Sequence, residues 1–151
     1  MNEVLTELIA RLGQKVPELR LIDEDYGQLE PNPGDQYPVV FPCVLLSAIG
    51  VEWADMGIPG PNVQRGTAEI TVRLAIDCYD DTHAGSGTTD RIAARAQLNR
   101  RVVKALHGYR PKGSIGPMSR VRSDSSTTVY NWKIYETTFR WTAKDDLRKP
   151  E

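Results

Sequence analysis

From Asn2 to Gln14 the apolar residues Leu5, Leu8, Ile9 and Leu12 recur at i, i+3, i+4 and i+7, with Val4 and Val16 at the edges of the stripe. That spacing predicts an amphipathic helix. Asn2 suits its N-cap, Glu3 suits the positive end of its dipole, and Gly13 or Pro17 ends it, since proline biases Val16 away from helical geometry. Leu19, Leu21 and Ile22 suggest a short strand. Cys43 to Trp53 (CVLLSAIGVEW) reads as another, with Pro42 where no ladder donor is lost and Gly50 as a candidate bulge. The next segment alternates: Ile70, Val72, Leu74, Ile76 and Cys78 point one way while Glu69, Thr71, Arg73, Asp77 and Tyr79 point the other, as in a half-buried antiparallel strand with one wet face.

Asp90 is placed as the N-cap of a long helix that closes on Gly108 at C′. Ile92, Ala96, Leu98, Val102, Val103, Ala105, Leu106 and Tyr109 share one half of its cylinder, and Arg91, Arg95, Arg100, Arg101 and Lys104 occupy the remainder. Met118 to Arg122 forms a strand, SDSSTT turns, and Val129 to Ala143 forms the last strand. In that strand Tyr130, Trp132 and Ile134 share one parity, whereas Tyr135, Phe139 and Trp141 share the other. The buried side is therefore expected to change near Ile134, through a bulge, a strong twist or a subunit contact.

This order predicts an α+β fold, a two-layer sandwich in which an antiparallel β-sheet carries two helices packed on one face. With 151 residues, 40% hydrophobic and 26% charged, the chain has material for one core. It is expected to form a single domain over 1–151, with mobile loops at about 23–41, 54–66 and 80–89 and a frayed tail at 144–151. Cys43 and Cys78 lie in strand-like apolar runs and read as small buried hydrophobes. No apolar run approaches the roughly 20 residues of a membrane helix, and the start lacks the basic and apolar regions of a signal peptide. The cytosol is the expected compartment, with no membrane partner.

The net charge of -1 hides an asymmetry: residues 1–41 carry eight acids and three bases, residues 42–90 seven and two, and residues 91–151 five and fourteen. Such a split suits a polyanion ligand, or self-association in which the basic part of one copy meets the acidic part of the next; clustered solvated faces would give the same composition. Catalytic material is sparse. His83 and His107 alone cannot build a histidine triad. Asp77, Asp80, Asp81 and His83 match no calcium-loop spacing, and Asp23, Glu24 and Asp25 are judged the same way. AGSGTTD (84–90) lacks the lysine of a phosphate-binding loop. The arginine-rich helix, with Arg110 and Lys112, offers phosphate contacts, but a pI of about 6.1 falls short of a nucleic-acid footprint. No catalytic residue, metal or cofactor is expected.

The sequence EVLTELIARL, then FPCVLLSAIGVEW, then AEITVRLAIDCYDD, a loop, an arginine-rich helix and VYNWKIYETTFRWTA resembles the tail terminator (tail completion) proteins of long-tailed bacteriophages and prophages, the family of the lambda minor tail protein U. The resemblance spans roughly residues 2–143 and rests on order and pattern rather than on a signature motif. It implies a structural, non-enzymatic subunit. Its copies would form a homohexameric ring on the tail tube, stop tube polymerisation and offer a docking surface to the head-tail connector. The implied partners are tail tube protein, connector protein and further copies of the chain, with nucleic acid only as passing DNA. The implied locations are the host cytoplasm during assembly and the virion tail. Arg91, Arg95, Arg100, Arg101, Lys104, Tyr130 and Trp132 are the expected interface residues. A head-closure or neck adaptor is the nearest alternative, followed by a non-specific nucleic-acid-binding module.

Overall fold

The computed structural model describes residues 2–30, 39–57, 62–78 and 87–150. Helix α1 spans Asn2–Lys15, followed by β1 (Leu21–Glu24), β2 (Cys43–Leu46), β3 (Gly50–Asp55), β4 (Val63–Asp77), α2 (Thr88–Leu106), β5 (Ser119–Thr127) and β6 (Trp132–Asp146). Six strands make one mixed sheet in the order β1-β2-β4-β6-β5, and β3 also pairs with β4. The α+β layout with both helices on one face is the predicted one. The sheet departs from the expected all-antiparallel form because β1 runs parallel to β2. A parallel pair needs a long crossover, and the chain between Glu24 and Cys43 supplies one.

At the centre, β4 and β6 pair without interruption from Val63↔Asp146 to Asp77↔Trp132. Ala68, Ile70, Val72 and Leu74 of β4, with Phe139, Trp141 and Ala143 of β6, turn one face to the helices. Leu5, Leu8, Leu12 and Val16 of α1 and Val102, Val103, Ala105 and Leu106 of α2 fill that layer. The 3.6-residue period of α1 and the two-residue period of β4 therefore meet in one core.

The opposite face is dry at one end. Cys43, Leu45, Ala75, Leu29 and Ile134 form a second cluster, with Leu21, Val39, Phe41 and Trp132 packed around it. This explains the two parities of the last strand with neither the bulge nor the subunit contact offered among the expectations: β6 keeps its register, and Trp132 and Ile134 are covered from the other side by the chain's own segments around Leu29 and Phe41. It also narrows the wet face assigned to β4: Glu69 is exposed as expected, whereas the face is dry at Ala75. Arg73, on that face, has a side chain only 15% exposed and donates to Asp25 (2.7 and 3.1 Å) and Glu30 (2.9 Å). Burial works against its charge, yet the two carboxylates outweigh that and raise its pKa. Part of the acidic stretch expected as a solvated loop is thus a clamp.

Other boundaries shift for local reasons. Cys43–Trp53 is two strands, because four steps from Leu46 to Gly50 oppose three steps from Val72 to Glu69, an extra residue just before Gly50. The 54–66 connection is shorter than expected: β3 continues to Asp55 and β4 begins at Val63, with Gly66 opposite Trp53. A Cβ on Gly66 would lie 2.5 Å from Val51 Cγ1 and 2.7 Å from Trp53 Cε3, so glycine there admits both side chains. SDSSTT lies mostly within β5 instead of turning; the turn is at Thr128–Asn131, where Asn131 has φ 63° and Thr128 Oγ1 accepts from the N–H groups of Tyr130 and Trp132. The N-cap of α2 is Gly87, not Asp90, which lies in the first turn, while Gly108 takes the expected left-handed position at φ 82°. The tail expected to fray from 144 is in β6 through Asp146, and Leu147 N–H donates to Asn62 O at 2.7 Å.

Two outcomes follow. Gly66→Ala or Gly66→Val is expected to cost about 1–3 kcal/mol of unfolding free energy through overpacking, read by urea denaturation followed by tryptophan fluorescence. Both cysteines are free, Cys43 buried and Cys78 half-buried, and burial pushes the Cys43 thiol from 9.0 up to about 12. Folding favours the neutral thiol, so its contribution is whole below the unfolded value of 9.0 and is lost as pH rises towards 12. At about pH 8 the native protein should release one equivalent of chromophore promptly from a thiol reagent and the second only on unfolding.

Candidate assembly surfaces

The basic helix is anchored by half its length. Val102, Val103, Ala105 and Leu106 are buried, whereas Ile92 is 52% exposed and Ala93, Ala94 and Ala96 are exposed as well. The apolar half-cylinder expected over the whole helix is therefore core only in its C-terminal turns. There the helix also packs on α1, where Arg11 Nε donates to Ala105 O (2.6 Å) and the Arg11 guanidinium sits 4.1 Å over the Tyr109 ring.

The seven expected interface residues fall into different settings. Arg100 and Lys104 are exposed. Arg101 is in an ion pair with Glu18, so part of its charge is answered within the chain. Arg91 and Arg95 are half-buried, and Arg91 reaches Thr88 Oγ1 at 3.4 Å. Tyr130 and Trp132 are brought together, with ring centroids 4.9 Å apart, and Trp132 packs against Phe41 with centroids 5.0 Å apart and the rings tilted by 45°. Trp132 thus covers the second core, while Tyr130 (50% exposed) and Val129 (82% exposed) remain outside.

His107 caps the C-terminus of α2 and accepts the Arg120 N–H on Nδ1 at 3.1 Å. His83, Asp80 and Asp81, with most of AGSGTTD, lie outside the described residues. Among the described residues, no three His, Cys, Asp or Glu side chains are grouped to hold a metal ion. An open groove of about 860 Å³ runs between Arg110–Ile115 and Lys144–Pro150. In it Asp146 accepts from Arg148 (2.8 and 2.9 Å), which holds its carboxyl well below the usual range.

The face of the sheet away from the helices is polar where the second core ends: Arg140 pairs with Glu69 (2.9 Å), and Thr71 faces Thr138 at 3.4 Å. All nine residues of β5 are exposed. The strand expected at Met118–Arg122 overlaps the first half of β5, whereas the SDSSTT half, read as a turn, shows no hydrophobic pattern because its strand residues are exposed on both faces.

A family model described as phage tail terminator protein matches residues 3–145. No curated protein sequence matches the chain. Among solved structures, a chain from the virion of a native gene transfer agent (GTA) particle has a TM-score of 0.51 and 16% identity, covering 91% of this chain and 84% of that one. At that identity the likeness concerns the fold.

Because the N-terminal half of α2 lies outside the core, Ile92→Ala should change unfolding free energy by less than about 0.5 kcal/mol. Leu106→Ala, in the same helix, should cost about 2–5 kcal/mol. Thermal and urea unfolding of the two variants check this contrast.

Proposed function

Since the chain belongs to the phage tail terminator family over residues 3–145, we propose that it forms a homohexameric ring on the head-proximal end of the tail tube. The ring stops tube polymerisation and presents the surface on which the head-tail connector docks. The family match carries this reading. The role is mechanical: tube protein, connector and further copies of the chain are the partners, DNA only passes through, assembly takes place in the host cytoplasm, and the product stays in the virion tail.

The surfaces support such a role. Exposed Arg100 and Lys104 on α2 and the exposed apolar residues Ile92, Val129 and Tyr130 are outside the core. Acids such as Glu24, Glu52 and Asp55 are exposed on strands elsewhere in the fold. A ring built from one repeated contact needs two different surfaces per subunit, one to meet the other. Charged contacts of this kind weaken with salt.

Native mass spectrometry across protein concentration and ionic strength tests the reading. The expected result is one dominant hexamer whose population falls as salt rises. Arg100→Glu combined with Lys104→Glu should weaken it without unfolding the subunit. A monomer at every concentration, or tube polymerisation that continues to unlimited length when the protein is added, would count against the terminator role and favour a neck adaptor.

A further inference from the structure

At the level of β2 the sheet has two outer strands, β1 on one side and β5 on the other, and among the described residues no strand pairs with the outer edge of either. Unpaired edges invite other strands, and proteins usually protect them. β5 is protected by charge, with Arg120 and with Arg122, whose Nε donates to Asp124 Oδ2 at 2.7 Å in an exposed pair that an acid of a neighbouring copy would have to share, and by an irregularity between Arg120 and Arg122. β1 (LIDE) carries two acids, Asp23 and Glu24. One edge is therefore basic in its first half and the other is acidic.

We infer that β5 of one copy pairs with β1 of the next, joining the sheets of neighbouring subunits edge to edge; the inference rests on the ring reading above and specifies its contact. Strand direction fits. β1 is parallel to β2, whereas β2, β4, β6 and β5 alternate, so β1 and β5 of one chain run in opposite directions. In copies related by rotation about an axis along the strands, β5 lies antiparallel to the next β1 with no inversion of either subunit.

Side-chain facing fits as well. Asp23 is in register with Leu45 and, through it, Arg73, on the face away from the helices. Arg122 opposes Thr138, which opposes Thr71 on that same face. Glu24 is in line with Leu46 and Val72 on the helix face, as Arg120 is with Phe139 and Ile70. Followed straight across the sheet, Asp23 is level with Asp124, a like-charge pairing. A stagger of two residues, of the kind a closing sheet introduces, brings Asp23 opposite Arg122 on one face and Glu24 beside Arg120 on the other. Both acid–base pairs form in one register. Pairing of β1 with a second β1 would oppose acids to acids, so the acidic edge favours β5 as its partner.

Charge reversal tests this in the full chain by native mass spectrometry, with circular dichroism confirming each variant's fold. Asp23→Lys alone and Arg122→Glu alone should each weaken ring assembly about tenfold or more. An equimolar mixture of the two should restore it, because an alternating ring of even number sets each Lys against a Glu and each Arg against an Asp; the double variant should also assemble. Glu24→Lys and Arg120→Glu repeat the test on the other face should Asp23→Lys fail to fold. A wild-type ring indifferent to both sets, or single variants that the mixture does not rescue, would overturn the edge pairing and leave the ring standing. Two-fold pairing of β5 with itself would set Arg122 against Asp124, so rescue of Arg122→Glu by Asp124→Lys as a dimer would also overturn it. A wild-type chain that stays monomeric at every concentration would remove the ring reading itself, and this contact with it.

Discussion

Every other element takes its position from the uninterrupted ladder between β4 and β6. It runs from Val63↔Asp146 to Asp77↔Trp132 with no shift of register. A slip of one residue would exchange Phe139 and Trp141 for Thr138 and Arg140 beneath the helices, so the buried parity of the pair fixes it strongly. β2 and β3 share the far edge of β4, which is possible because the extra residue before Gly50 lets the chain leave one pairing and enter the next. β5 lies on the far edge of β6, exposed along its whole length, and is ordered by its ladder and by the His107 contact.

Burial on both faces divides the sheet into two unequal ends. Near Ala75 and Ile134 it is covered twice, by the helices on one side and by the segments around Leu29 and Phe41 on the other. Near Gly66 and Ala143 the helix side alone is packed, and Trp53, 40% exposed, closes over the missing Cβ of Gly66. Arg73 joins the two regimes, since its guanidinium holds Asp25 and Glu30 against the sheet. Charge-assisted hydrogen bonds of that geometry are among the stronger ones, and removing either side would leave the other charge half-buried.

What could be read from the sequence follows from how each segment is buried. α1 and β4 each press one face on the helix-side core, so their periods of 3.6 and 2 were plain, and the α+β layout with both helices on one face followed from them. The mixed parity of Trp132 to Trp141 was visible, but its cause was not, because the cover comes from Leu29 and Phe41, far away in sequence and in a stretch rich in proline and acids. The parallel pairing of β1 had no local sign, since direction is decided by the crossover. The SDSSTT half of β5 carries no hydrophobic pattern because its strand residues are exposed. The charge split was legible as composition, yet which basic side chains are answered within the chain was not: Arg100, Arg101 and Lys104 are all exposed, and Arg101 is engaged by Glu18.

For the proposed ring, the edges also bear on how a subunit would stay single before assembly. An exposed surface ion pair contributes from near zero to about 1 kcal/mol, too little to hold two copies together unaided. In a closed ring the same contact recurs at every junction, and the last junction forms between ends already held in place, so closure gains from effective concentration. Arg120, Arg122 and the irregularity of β5 discourage pairing with an arbitrary strand, while leaving an edge that an acidic strand of opposite direction matches. Charge on a strand edge thus has two uses in the proposed ring: it disfavours pairing with an arbitrary strand, and it selects one partner and one register.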